Sequence, residues 1–242
     1  MSRALSKVEK LKTRMLAVEA LRAVRRTLPY SYRQLARMMG FDETLLARYA
    51  SGITIPSYEQ SLELLKSIKE VLDPVRLVLS RAGELKGLID LTPVLSDPFM
   101  LKLLSIEFYE RFRDDNVTKI LVPEAGGITL ATSLALVFEV PLVIARRSKE
   151  NPLLDYLEEH LVEPPSVKCI FYVPKGSIRR DDRVLIVDDV VQSGITLAIM
   201  KRIVERAGAS LVGVAALIVI GNEWRKRVSI DRIEAIAVVS KT

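Results

Sequence analysis

The stretch Val184 to Thr196, VLIVDDVVQSGIT, constrains the fold more than any other part of the chain. Val184, Leu185, Ile186 and Val187 form an uninterrupted and mostly β-branched apolar run. That is the pattern of a strand buried on both faces of a parallel sheet. Two acids, Asp188 and Asp189, end the run. A turn of small and hydroxyl residues, Ser193-Gly194-Ile195-Thr196, then leads into a helical segment. Leu197, Met200, Ile203, Val204 and Ala207 fall on one face of that segment, and Gly208 is a natural residue to stop it.

This order of elements carries chemistry. Free backbone N–H groups at the start of a helix favour an anion. Gly194 allows a close approach, and Ser193 and Thr196 add hydroxyl donors. The neighbouring carboxylates can accept from the 2′- and 3′-hydroxyls of a sugar, or hold a metal through water. A ribose 5-phosphate fits such a pocket, although an ordinary βα loop with a solvated acidic tip would present the same residues. The stretch is not a P-loop, because GxxxxGK[ST] is absent, and it lacks the G-x-G-x-x-G spacing of a dinucleotide site.

The segment resembles the phosphoribosylpyrophosphate (PRPP) motif of the type I phosphoribosyltransferases, which is an apolar strand, two acids, two apolar residues and small residues around a glycine. The resemblance implies that Asp188 and Asp189 hold the ribose hydroxyls and that Ser193, Gly194, Ile195 and Thr196 wrap the 5-phosphate. Gln192 departs from it, standing where these enzymes usually carry Ala, Ser or Thr.

Residues 1–82 read differently. They hold 15 Lys and Arg against 8 Asp and Glu, whereas residues 83–242 hold 21 against 22, so the excess positive charge lies entirely at the N-terminal end. Such asymmetry points to a nucleic-acid or anionic-surface partner for that part alone, and a solvated helical surface is the plainer alternative. Leu11, Met15, Val18, Leu21 and Val24 have helical spacing. Ser31 with Gln34, and Ser57 with Gln60, make capping boxes. Asp42 caps a segment between Gly40 and Gly52, and Asp73-Pro74 opens a last helix. Two short helices joined at a glycine form a helix-turn-helix arrangement. The second, Asp42 to Ala50, shows Glu43, Thr44, Ala47 and Arg48 on its outer face, while Arg33 and Arg37 on the preceding helix would sit near phosphates.

The stretch from Ser31 to Leu65 resembles the lambda-repressor/Cro-like helix-turn-helix family. That resemblance puts Tyr32 at a backbone contact and Glu43, Thr44, Ala47 and Arg48 at groove-facing positions. A bundle used for protein contacts is the alternative.

From Gly83 onward, after a linker expected at Gly83 to Gly87, strands and helices alternate. Strands are expected at Lys119–Val122, Pro141–Arg146, Lys168–Val173, Val184–Val187, Leu211–Ile220 and Ala235–Val239. This alternation predicts a parallel sheet with helices on both faces, and ligands at the carboxyl ends of its strands. The loop Pro123-Glu124-Ala125-Gly126-Gly127 stands at such an end, and its paired glycines offer amides to an anion. PEAGGI resembles the pyrophosphate loop of adenine phosphoribosyltransferases. Those enzymes usually carry Arg where Gly126 stands, so Ala125, Gly126 and Gly127 are expected to bind through backbone alone. Arg146 and Arg147, ending a strand nearby, are further anion contacts. Leu88 to Pro98 looks like a hood over the base, with Gly221 to Val228 as its partner; Trp224 there would stack on a base or pack the hood. Ser148 to Ser166 takes the place of the mobile catalytic loop. No catalytic acid can be matched in it, and LLDYLEEHL reads as an amphipathic helix.

Apolar residues make up 49% of the chain, enough for a core without disulfides, and Cys169 in its apolar run reads as a buried thiol. One Cys and one His, His160, exclude a Cys/His zinc site and leave no thiol or serine triad to assemble. No secretory signal or long apolar run appears, so a cytoplasmic protein is expected, with no membrane partner.

The expected architecture is α/β: an all-helical helix-turn-helix domain at residues 1–82, then a phosphoribosyltransferase-like parallel sheet with a small hood at residues 83–242. The expected function is a homodimeric transcription regulator that binds double-stranded DNA and senses PRPP, a purine base or a purine nucleotide. Mg2+ would accompany bound PRPP, with no metal site of the protein's own. Resemblance places this design beside repressors of the bacterial purine-repressor or archaeal phosphoribosyltransferase-like type. The alternative is an active purine phosphoribosyltransferase carrying a DNA-binding module. Gly126, Gln192 and the unmatched loop weigh against it.

Overall fold

The computed structural model describes residues 6–85, 88–163 and 167–240. Contacts divide the chain into two compact units, one of Met1–Arg81 with Pro93–Ile106 and one of Ala82–Thr92 with Glu107–Thr242.

The first unit contains helices α1 (Lys7–Thr27), α2 (Tyr32–Met39), α3 (Glu43–Ser51), α4 (Tyr58–Val71) and α5 (Pro74–Arg81). Local chemistry sets where they start. Ser6, Ser31 and Ser57 each accept from the backbone N–H three residues on, while Glu9, Gln34 and Gln60 reach back to the cap. Asp42 accepts from the Leu45 N–H at 2.9 Å, and Asp73 accepts from Val75 and Arg76. Gly40 and Gly52 close α2 and α3 in the left-handed conformation, at φ of 71° and 76°. Leu21, Val24, Leu35, Leu46, Tyr49 and Leu64 fill the core.

The second unit begins with a hairpin, β1 (Gly83–Leu85) against β2 (Leu88–Asp90). Two helices, α6 (Thr92–Leu95) and α7 (Pro98–Phe112), follow it in the chain, and the division between units falls inside α7. Then come β3 (Lys119–Pro123), α8 (Ile128–Phe138), β4 (Leu142–Ala145), β5 (Tyr156–Glu163), β6 (Val167–Pro174), β7 (Arg183–Val191), α9 (Ile195–Arg206), β8 (Ser210–Ile220) and β9 (Ile233–Val239). Five strands form one parallel sheet in the order β4-β3-β7-β8-β9. Val184, Leu185, Ile186 and Val187 are all fully buried at its centre. The chain leaves β3 toward β4 on one side and leaves β7 toward β8 and β9 on the other. The β3–β7 boundary is therefore the switch point of the sheet, where a crevice opens beyond the carboxyl ends.

Several expectations are corrected. Asp188 and Asp189 do not end their strand. Pairing of β7 with β8 runs on to Val191 and Val219, whereas pairing with β3 stops at Leu121 and Ile186. The acids thus lie inside β7 where its other neighbour has already turned away. The expected linker is the β1–β2 hairpin, of which Lys86 and Gly87 lie outside the described residues. The strand expected at Lys168–Val173 is not in the parallel sheet; β6 pairs antiparallel with β5 in a sheet of its own. Tyr156–Glu163 is consequently a strand and not an amphipathic helix. Its partner β6 has Phe171 and Val173 fully buried against the core, and Arg206 on α9 donates to the Glu158 carbonyl at 2.7 Å. Such pairing overrides local helix propensity. Pro164, Pro165 and Ser166 of the expected mobile loop lie outside the described residues.

Ile186, fully buried between two paired strands, tests this packing. Ile186→Ala should destabilise by about 2–5 kcal/mol, read as a lower urea midpoint for the α/β unit; an unchanged midpoint would contradict the buried placement of β7.

Candidate functional site

The crevice at the β3–β7 boundary collects residues from three loops of the second unit. Gly126 and Gly127 lie directly against the acid pair. A Cβ at Gly127 would stand 3.1 Å from the Asp188 Cα and 3.2 Å from the Asp189 nitrogen, and one at Gly126 would collide with the Asp189 carboxylate. Ala125 and Gly126 are exposed, Gly127 is buried, and the Glu124–Ala125 peptide is cis. Absent side chains let the backbone of one loop touch the acids of the other.

The two carboxylates differ. Asp188 is 7% exposed while Asp189 is half-buried. Burial pushes the Asp188 carboxyl well above the usual carboxylate range, and the Asp189 charge pushes it further; a backbone N–H and the Arg147 charge oppose both. The Asp189 N–H donates to Asp188 at 3.0 Å, and the Val190 N–H donates to Asp189 at 2.9 Å.

Beyond β7, Gln192 is exposed and Ser193 is half-buried. Gly194 has φ of 80° and caps α9 with no side-chain bond. A Cβ there would stand 2.7 Å from the Trp224 Cα, so only glycine fits. Trp224 is buried and packs the back of this turn, which decides between the two readings of it in favour of packing. Arg227 donates to the Ser193 carbonyl at 3.0 Å, and the Ile195 N–H reaches the Ser193 hydroxyl at 3.4 Å. Ile195 and Thr196 open the helix with their amides at its N-terminal end, where an anion is favoured.

The strand β4 brings two guanidinium groups. Arg146 lies 3.6 Å from Glu124 and 3.1 Å from Glu150. Arg147 stacks on the Phe171 ring at 4.3 Å, donates to the Cys169 sulfur at 2.9 Å, and is the cation whose field reaches Asp188. The sequence pointed to Arg146 and Arg147 together as anion contacts and to Arg146 alone as a ligand-binding residue; it gave no signal for the stacking of Arg147 beyond the doubled Arg at a strand end. Among the described residues no group of three or more His, Cys, Asp or Glu could hold a metal ion. None of their helices is long and apolar enough to cross a membrane.

The other expected site residues stand on the first unit. Arg33, Arg37, Glu43, Thr44 and Arg48 are exposed, while Tyr32 and Ala47 are half-buried. Arg33 pairs with Glu43 at 3.0 Å, bridging α2 and α3, and Arg25 lies 5.6 Å over the Tyr32 ring.

Comparison with known proteins bears on the second unit. The family model described as a phosphoribosyl transferase domain matches residues 101–242. A xanthine phosphoribosyltransferase of Lacticaseibacillus casei is 36% identical over 124 residues, which are 50% of this chain and 65% of that protein. One from Ligilactobacillus salivarius is 31% identical over 149 residues, covering 60% of this chain and 78% of that protein. The crystal structure of adenine phosphoribosyltransferase from Rhodothermus marinus superposes with a TM-score of 0.63 at 27% identity, over 69% of this chain and 98% of that one.

Raised proton affinity at Asp188 has a thermodynamic consequence. The folded chain keeps this proton through a range where the unfolded chain has lost it. Stability is therefore full below the usual carboxylate range and is lost as pH rises through the raised folded value. Asp188→Asn mimics the protonated form and should stabilise the protein more at about pH 8 than at about pH 5, each tenfold change in proton affinity being worth about 1.4 kcal/mol. Urea unfolding of both proteins at each pH measures this, and an equal difference at the two would refute the assignment.

Proposed function

The chain belongs to the phosphoribosyltransferase family, and on that premise we propose that it is an active purine phosphoribosyltransferase, joining a purine base to the ribose 5-phosphate of PRPP with release of pyrophosphate. This corrects the expectation of a transcription regulator. Relatives that match include proteins named xanthine and adenine phosphoribosyltransferase. The objection drawn from Gly126 is also weakened, because Arg146 and Arg147 follow β4 and are held by Glu124 beside the glycine loop.

The observation that carries the proposal is the meeting of two glycine-containing loops with two adjacent carboxylates at one switch point. PRPP has hydroxyls flanked by a 5-phosphate and a pyrophosphate. Asp188 and Asp189 accept from the hydroxyls. Ser193, Gly194, Ile195 and Thr196, with Gln192 at the rim, enclose the 5-phosphate. The Ala125, Gly126 and Gly127 amides, with Arg147 and Arg146 behind them, face the pyrophosphate. Charged and backbone donors aimed at a leaving pyrophosphate lower the barrier in proportion to the charge that develops on it. Mg2+ suits this donor set, since it binds through one or two carboxylates together with substrate phosphates rather than in a protein cage. Asp189, the more exposed of the pair, would hold it, and it would neutralise phosphate charge.

The functional division we propose is residues 83–242 for the transferase and residues 1–82 for a helix-turn-helix module by which the enzyme, as a homodimer, binds double-stranded DNA. Support comes from α2 and α3 meeting at Gly40, from exposed Arg37, Thr44 and Arg48, and from the net positive charge of this segment.

Two measurements test these readings. Mixing the protein with PRPP, Mg2+ and a panel of purines should release pyrophosphate, and the double change Asp188→Asn with Asp189→Asn should abolish that release. No release with any purine would sink the enzyme. Separately, Arg48→Ala should cost about 1–3 kcal/mol of discrimination at one base position in a random duplex pool; an unchanged preference would remove Arg48 from the readout.

A further inference from the structure

An anion is drawn to N–H groups and repelled by carbonyl oxygens, so a turn that binds one must aim its carbonyls elsewhere. In the turn after β7 the amides of Ile195 and Thr196 open α9, where backbone N–H groups lack partners within the helix. The carbonyl two residues before Ile195, on Ser193, is held by Arg227, whose guanidinium donates to it at 3.0 Å. The Ser193–Gly194 peptide is trans and planar, so its C=O and its N–H point in opposite directions. With the oxygen turned toward Arg227, the Gly194 N–H is turned away from it.

Residues 221–232, which join β8 to β9, are built to keep Arg227 in this place. The Trp224 backbone fills the space beside Gly194, since a Cβ there would stand 2.7 Å from the Trp224 Cα and 2.9 Å from the Trp224 carbonyl oxygen. The Arg227 and Val228 N–H groups both donate to that carbonyl at 3.1 Å, which folds the segment tightly beside the turn. Trp224 and Val228 are buried on either side of Arg227, so the backbone is anchored in the core while the Arg227 side chain lies at the surface. A second tie joins the same segment to the helix, where Lys201 on α9 donates to the Ser229 carbonyl at 2.8 Å.

We propose that Arg227 is a positioning residue for the 5-phosphate. It holds the Ser193 carbonyl away from the anion and sets the plane of the Gly194 peptide, so that the turn presents N–H groups and hydroxyls to its ligand. The inference rests on the reading of this turn as the 5-phosphate site of PRPP.

Ribose 5-phosphate is the probe, and its binding to the full chain is measured by calorimetry, independently of turnover. Arg227→Met keeps most of the side-chain length and removes the donor. It should weaken binding about tenfold, the scale of one hydrogen bond to a charged group. Arg227→Lys keeps a charged donor for the Ser193 carbonyl and should recover most of that loss. Lys201→Met cuts the tie to Ser229 and leaves Ser193 alone, so it should bind as the wild type does. Pyrophosphate with Mg2+, which uses the Gly126 loop, should bind all four proteins equally. Unchanged ribose 5-phosphate affinity in Arg227→Met overturns the assignment. Equal losses in Arg227→Met and Lys201→Met overturn it too, as does a matching loss of pyrophosphate affinity, because either marks a general loosening. A wild-type chain that binds no ribose 5-phosphate rejects the reading of the turn and Arg227 with it. A chain that shows the expected pattern but releases no pyrophosphate from PRPP and any purine upholds Arg227 and rejects the enzyme.

Discussion

The contact between the glycine pair and the acid pair is the constraint on which the site depends. Backbone at Gly126 and Gly127 occupies space that any side chain would fill, and in doing so brings an amide-rich loop against Asp188 and Asp189. Amides that favour an anion and carboxylates that repel one make a poor site for a simple phosphate. They make a coherent site for a ligand whose hydroxyls lie between phosphate groups. The close approach in turn requires β3 to part from β7 after Leu121 and Ile186.

Charge within the crevice is balanced by parts that come from different strands. Asp188 is buried and its carboxyl is pushed above the usual carboxylate range, which limits the negative charge of the pair. Arg147 arrives from β4 and is supported by Phe171 and Cys169 on β6. The antiparallel β5–β6 sheet is thus more than an appendage, since it provides the apolar wall on which the guanidinium rests. On the opposite side, Trp224 and Arg227 hold the Gly194 turn from behind. Each of the two glycine-containing loops is short, and each is backed by a residue distant in sequence, which is how a small amount of backbone can be held in one geometry.

The helical unit was legible to a different degree. Its capping residues act over three positions, so Ser31, Asp42 and Ser57 announce their helices in the sequence and the structure places them as expected. Pairing of Arg33 with Glu43 was not legible, because it joins two helices through a turn whose geometry the sequence leaves open. It commits Glu43, which the sequence alone offers as an unpaired acceptor, to a partner on α2. The function expected for the whole chain went astray for a related reason. Absence of a cation at position 126 was weighed against the enzyme although Arg146 and Arg147 stood nearby in the sequence, and the relatives are phosphoribosyltransferases.

What the sequence determined by itself is local or periodic. The apolar run of β7, the caps of α2, α3 and α4, the two glycine-containing turns and the alternation of strands with helices all follow from neighbours a few residues apart. Tertiary structure decided what depends on pairing. Tyr156–Glu163 has a helical look in isolation and becomes a strand because β6 offers it a ladder. Asp188 and Asp189 look like the end of a strand and lie within one because β8 continues beside them. Arg147 gains its place from a ring and a sulfur on β6 and a carboxylate that follows β3. Hydrogen-bond ladders and side-chain supports join residues far apart in the chain, and no local pattern encodes which partner will be there.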